Sequence, residues 1–355
     1  ALAAWRKVMD LDPADLRAPI EVGRLEERKG DLAAARAAFE EAERRAERAQ
    51  DRRHVVVARA SIADVDVAQG GLADAAVHYE EATATLAGLA DEAPDEAQRL
   101  HDLSVSHLKI GDVRVAQGEL AGALSAYAAG RAIHEELARR DPSNTTWQRD
   151  LSMSHEKIGD VRRAQGELDA ALAAYEAGRA IAEHLAAGDP SNTGWQRDLS
   201  VSHERVGDVR VAQGELDAAL AAYEAGLAIA EDLARRDPSN TGWKRDLTAS
   251  HQRIGAARVA QGELGAALVA YETGLAIAED LARRDPSNAE WQRDLIASNV
   301  KRAEVAAAQG DAATAAGRYR AALDVAERLA AAGRLAPRDA WVPDELRRWL
   351  GGLGG

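Results

Sequence analysis

Residues 141–188 and 189–236 are nearly the same sequence written twice, differing at nine positions: 146, 153, 157, 158, 163, 179, 184, 187 and 188. The repeat opens with DPSN-x-x-W-x-R-D-L, and its first aspartate recurs at Asp141, Asp189, Asp237 and Asp285, a period of 48 residues. A chain of this kind grows in one dimension. Each unit buries itself against its neighbours, so no single large core is required. That overrides the expectation of about two or three separate domains that the length alone would suggest.

The physics of one unit can be read from the stretch beginning at Asp189. Pro190 stops the preceding helix, because proline lacks an N–H and disfavours helical backbone at the residue before it. Ser191 or Asn192 can cap the next helix. Trp195, Leu199, Ser202, Val206 and Val209 step by four, three, four and three along one face. This predicts a helix A of about 19 residues, roughly 28 Å long. Gly214 supplies the positive φ that ends it. Leu216, Ala219, Tyr223, Gly226, Ile229 and Leu233 form the matching stripe of helix B. The two stripes bury each other, and the remaining faces stack on the next pair.

The turn glycine recurs at Gly30, Gly70, Gly118, Gly166, Gly214, Gly262 and Gly310, first after 40 residues and then after 48 each time. The predicted organisation follows. Residues 1–13 are the second helix of an incomplete unit, with Ala1, Trp5, Val8 and Leu11 on one face and Pro13 at its end. Residues 14–92 make two shorter units, and residues 93–332 make five extended ones. Residues 333–355 are a linker, a short capping helix over Pro343–Leu350 with Leu346, Trp349 and Leu350 facing inwards, and a glycine-rich terminus. The chain starts at Ala1 inside a helical pattern, which predicts that it is a piece of a longer protein.

These positions resemble the tetratricopeptide repeat, a helix–turn–helix unit normally of about 34 residues. Its Leu-Gly step is matched by Ile110-Gly111, Ile158-Gly159, Val206-Gly207 and Ile254-Gly255. Its small residue early in helix B is matched by Ala35, Ala75, Ala123, Ala171, Ala219, Ala267 and Ala315. Its aromatic is matched by Phe39, Tyr79, Tyr127, Tyr175, Tyr223, Tyr271 and Tyr319, and its next small residue by Ala42, Ala82, Gly130, Gly178, Gly226, Gly274 and Ala322. The early helix-A tryptophan of the family is replaced by His107, His155, His203 and His251, and a tryptophan stands eight residues earlier at Trp147, Trp195 and Trp243. Such lengthened units resemble those appended to large bacterial signalling and defence proteins. The resemblance implies an all-α, right-handed superhelical solenoid of antiparallel helix hairpins with a C-terminal cap.

The resemblance also implies a concave groove lined by helix A. By motif position its wall carries Val105, Met153, Val201 and Ala249; Asp112, Asp160, Asp208 and Ala256; and Val115, Arg163, Val211 and Val259, with Glu156 and Glu204 beside them. A mixed apolar and acidic wall of solvated aspartates suits an amphipathic or basic protein segment. It does not suit the family's carboxylate clamp, which uses Lys and Asn at these places. The net charge of −14 argues against nucleic acid, whose phosphates need a basic face.

No catalytic, cofactor or metal residue is expected. The Ser-x-Ser-His run (Ser104 to His107, Ser152 to His155, Ser200 to His203) places neighbours about 100° apart on a helix, so serine and histidine do not face each other. The ladder of His107, His155, His203 and His251 is expected to be buried between units rather than to ligate a metal, and Trp147, Trp195, Trp243 and Trp291 to pack in the core. The Arg-Asp pairs at Arg149, Arg197, Arg245 and Arg293 read as a solvated face or as bridges between units. With no cysteine and no apolar run of about 20 residues, the chain is expected in the cytoplasm, away from membranes. Its expected work is non-enzymatic: a protein-binding scaffold. The alternatives are a sensor or regulatory arm of a larger signalling protein, or a module for self-association.

Overall fold

The protein, in a computed structural model, is described over residues 1–353; the last two glycines of the predicted terminus lie outside the described residues. Among the described residues it is all-α, a succession of helices without a strand. From the first helix to the eighth, and again from the tenth to the last, each helix packs on the next in sequence, the packing order of a solenoid. The chain divides into two compact units after Ile181.

The first unit holds α1 (Leu2–Leu11), α2 (Arg17–Arg28), α3 (Leu32–Arg48), α4 (Arg52–Gln69), α5 (Leu72–Glu92), α6 (Ala97–Ala116), α7 (Leu120–Arg140), α8 (Thr145–Ala164) and the start of α9 (Leu168–Gly188). The second holds the end of α9, then α10 (Thr193–Ala212), α11 (Leu216–Arg236), α12 (Thr241–Ala260), α13 (Leu264–Arg284), α14 (Ala289–Ala308), α15 (Ala312–Ala331) and α16 (Val342–Gly352). A single 3₁₀ turn, Pro337–Asp339, precedes α16.

Local chemistry sets the helix ends. Asn144 and Asn192, not the serines before them, cap helix A: each side-chain oxygen accepts the N–H of the tryptophan three residues on, at 3.2 Å. The serine instead folds back on the aspartate, Ser191 Oγ donating to Asp189 Oδ1 at 2.6 Å. At the other end Gly166 has φ +79° and nothing within 4 Å of where a Cβ would sit, so the left-handed backbone alone requires glycine there.

Gly159 answers a different need. A Cβ there would lie 2.6 Å from the ring of Tyr175, so helices α8 and α9 approach too closely for any side chain. The same glycine-on-tyrosine contact recurs in the second unit, where a Cβ on Gly207 would strike Tyr223. The rings then knit successive pairs together. Tyr127 shares a buried cluster with Ile158 and Val161 of the next hairpin, and Tyr223 one with Ile254 and Ala257.

Two expectations need correction, and one open choice is decided. In α1 no residue is buried, and Leu11 is exposed; the partly covered side chains are Leu2, Trp5 and Met9, a face one residue round from the predicted stripe. The contact with α2 decides that choice, because both stripes are apolar and share Trp5. The four helix-A tryptophans are half-buried and not fully in the core. The Arg-Asp pairs do bridge: Arg197 Nε reaches Asp246 Oδ2 and Arg245 Nε reaches Asp294 Oδ2, both at 2.7 Å, linking consecutive helices A of the second unit.

Candidate functional site

In the first unit equivalent positions of α4, α6 and α8 leave large apolar side chains in solvent: Val57, Val105 and Met153 are 38%, 39% and 42% exposed. Nearly three turns further along, Val67 and Val115 are exposed as well. Val57 and Val105 line a cleft of about 580 Å³ between α4 and α6, together with Ala60, Asp64 and Lys109.

The aspartates of this wall are not simply solvated. Asp112 Oδ1 accepts from the buried Tyr127 hydroxyl at 2.5 Å and from Lys157 Nζ of the following helix A at 2.7 Å. Asp64 holds Tyr79 and Lys109 in the same way, at 2.5 and 2.8 Å. Tyr175 donates to Asp160 at 2.6 Å. Each lysine also lies over the tyrosine ring it serves, Lys157 Nζ being 5.9 Å from the Tyr127 centroid. Burial, reinforced by the aspartate, pushes the Tyr127 phenol up, so the hydroxyl stays a donor. Asp64 and Asp112 each tie three helices together, and their negative charge is already paired.

In the second unit Asp208 takes Tyr223 at 2.8 Å and Arg253 Nε at 3.2 Å. Glu204, expected beside the groove, is buried: it accepts from Ser250 Oγ at 2.6 Å and pairs with Arg253 at 3.0 Å. Val201 and Val211 are half-buried, Val259 and Ala256 are exposed, and Ala249 is half-buried. Arg163 is exposed and Glu156 half-buried in the first unit. The predicted apolar wall is therefore most open in the first unit.

The serines are structural. Ser152 Oγ donates to the Gly178 carbonyl at 2.8 Å, and Ser200 Oγ to that of Gly226 at the same distance, which closes the gap between helices A and B. The histidine beside them packs its Cβ on the same glycine, His155 about 3.3 Å from where a Gly178 Cβ would be.

No protein-family model matches the chain, and no curated protein sequence matches it either. Solved structures do. A signal-transduction ATPase with numerous domains and a tetratricopeptide-repeat sensor, from Pyrococcus horikoshii, superposes with a TM-score of 0.63 at 14% identity, over 98% of this chain and 46% of that one. This chain thus spans just under half of that protein. BtubC (BKLC) from P. vanneervenii gives 0.56 at 18% identity, over 74% of this chain and 92% of that one. The apo form of RapI gives 0.54 at 14% identity, over 88% and 98%.

The chain has the tetratricopeptide-repeat fold.

Within this tetratricopeptide-repeat array, the wall of α4 escapes a reading based on the near-identical repeats. Val57, Asp64 and Val67 stand 48 residues before Val105, Asp112 and Val115, and that offset was the available signal. Lys109 and Lys157 were missed for another reason: their pairing with aspartates 45 residues earlier exists only once the units stack.

The ladder histidines make stability depend on pH. Burial holds the imidazoles of His107, His155 and His251 below their ordinary value; at His155 Arg131 adds to this and Glu135 opposes it. A depressed histidine contributes stability that is complete above the unfolded-state value and is lost as pH falls through the folded-state value. The urea midpoint should therefore drop as pH falls below the ordinary imidazole value of about 6.5. His155→Gln should flatten the drop; an unaltered slope would show that the ring does not report on folding.

Proposed function

We propose that this chain is a non-enzymatic protein-interaction scaffold that receives an amphipathic protein segment on the helix-A wall of its first unit. The observation that carries the reading is the line of exposed Val57, Val105 and Met153 at equivalent places in successive repeats, flanked by charges that are already paired. Exposed apolar side chains set in a regular line are what an amphipathic segment buries. The pairing of Asp64 and Asp112 with lysines weakens the case for a strongly basic partner. Apolar contact along the wall is the main attraction, and the rim charges set its orientation.

The test is affinity capture from extract of the native cells with crosslinking and mass spectrometry, beside a Val57→Lys, Val105→Lys, Met153→Lys triple variant. All three side chains are exposed, so helicity should be unchanged. A partner crosslinked to α4 and α6 and lost with the variant supports the reading. Equal capture by both overturns it, and recovery of only this chain's own copies would point to self-association.

A second reading is favoured by one comparison, the signal-transduction ATPase whose tetratricopeptide repeats form its sensor. By analogy this array would be the sensing arm of a larger protein. An effector domain encoded in frame with these residues would support that, and binding by the isolated array at full strength would make it unnecessary.

A further inference from the structure

Two residues of the first unit depart from the repeat, and they meet. Position 101 is histidine, where the equivalent residues are Arg53, Arg149, Arg197, Arg245 and Arg293. Position 134 is histidine, where the others are Leu86, Ala182, Ala230, Ala278 and Ala326. His101 on α6, His134 on α7 and Asp150 on α8 bring one ligand atom each to within 4.8 Å of one another. His101 Nε2 is 3.0 Å from Asp150 Oδ2, in place of the arginine–aspartate bridge found in the second unit.

We propose that His101, His134 and Asp150 bind a divalent transition-metal ion of the zinc type. Two imidazoles and one carboxylate are a donor set suited to such an ion, and three protein ligands leave a fourth position for water. With metal–ligand bonds of about 2.0–2.2 Å, tetrahedral donors stand roughly 3.4 Å apart. The His101–Asp150 pair is already close to that. His101 and Asp150 are partly exposed and can rotate to close on His134, which is fully buried.

The surroundings fit. Ser104 Oγ and Ser154 Oγ each lie 2.7 Å from a different ring nitrogen of His134. The metal would displace one of these hydroxyls, and neither would be orphaned: Ser104 also donates to the His101 carbonyl at 2.6 Å and Ser154 to the Asp150 carbonyl at 3.0 Å. The other hydroxyl would remain to orient the ring, as outer-shell partners of metal-bound histidines do. The ion would staple three consecutive helices, one of them lining the cleft that holds Val105.

The experiment is calorimetric titration of the full, tag-free chain with zinc chloride, with magnesium chloride as a second titrant. Zinc-dependent hydrogen exchange is read in parallel. We expect one zinc ion per chain, slower exchange confined to α6–α8, and no response to magnesium. The control is His101→Arg with His134→Ala, which installs the residues that other units carry and should fold as they do. It should weaken binding by about a hundredfold or more, since loss of an outer-shell partner alone typically costs 10–100-fold. Asp150→Asn is the second variant, with the same expected loss if the double variant misfolds. Absence of zinc-dependent protection in α6–α8, or equal zinc binding by a folded variant, would overturn the proposal.

Discussion

Tyr127→Ala should destabilise the α6–α8 segment by about 3–5 kcal/mol, the range for removing a buried aromatic. The ring is 2% exposed and lies where Gly111 leaves room for it. It touches Ile158 and Val161 of the next hairpin, and its hydroxyl holds Asp112, which in turn holds Lys157. The alanine variant therefore opens a cavity and removes a donor from a carboxylate that links three helices. Tyr127→Phe separates the two effects: it keeps the ring and should lose only about 0.5–1.5 kcal/mol, the net worth of one hydrogen bond. Urea unfolding followed by circular dichroism gives the magnitudes, and hydrogen exchange gives the location. Nearest-neighbour coupling predicts faster exchange in α6, α7 and α8, with α14 and α15 little changed. Equal losses for the two variants would mean that the ring contributes nothing beyond its hydroxyl.

Leu346→Ala should loosen the other end of the array by about 2–5 kcal/mol. Leu346 is 1% exposed and sits in one buried cluster with Ile296, Tyr319 and Leu329. Trp349 of the same helix packs against Tyr319, ring centroids 5.3 Å apart and tilted by 47°. Helix α16 thus covers the apolar face that α14 and α15 would otherwise present to water, as terminal repeats require. The loss should show as faster exchange in α14–α16 and as concentration-dependent association, because an uncovered apolar face seeks a partner. Exchange unchanged in α14 and α15 would show that they need no cover.

Much of the fold is legible in the chain because a repeat states the same local rules many times. Gly166 and Gly214 each report a left-handed turn, Gly159 and Gly207 each report a close approach to a tyrosine, and Asn144 and Asn192 each start a helix. The candidate site was legible only in part. Val105 and Met153 are expected on the helix-A wall from motif position, and both are exposed. Asp112 was placed on the same wall, but its two partners come from residues 15 and 45 positions away. Glu204 was misjudged for the same reason, since Ser250 and Arg253 bury it from the next repeat. His101 and His134 were visible as departures from the repeat, yet nothing local says that they meet at Asp150.

The sequence by itself determined the periodic part of this protein: helix, turn, helix, repeated with a period of 48 residues and closed by a cap. Those features depend on backbone preference and apolar spacing, which act within a few residues of chain. Only the tertiary structure decided which wall charges are paired, which face of α1 is covered and which side chains converge on His134. These outcomes depend on distances between residues in different repeats, set by how one hairpin stacks on the next and carried by no single stretch of the chain.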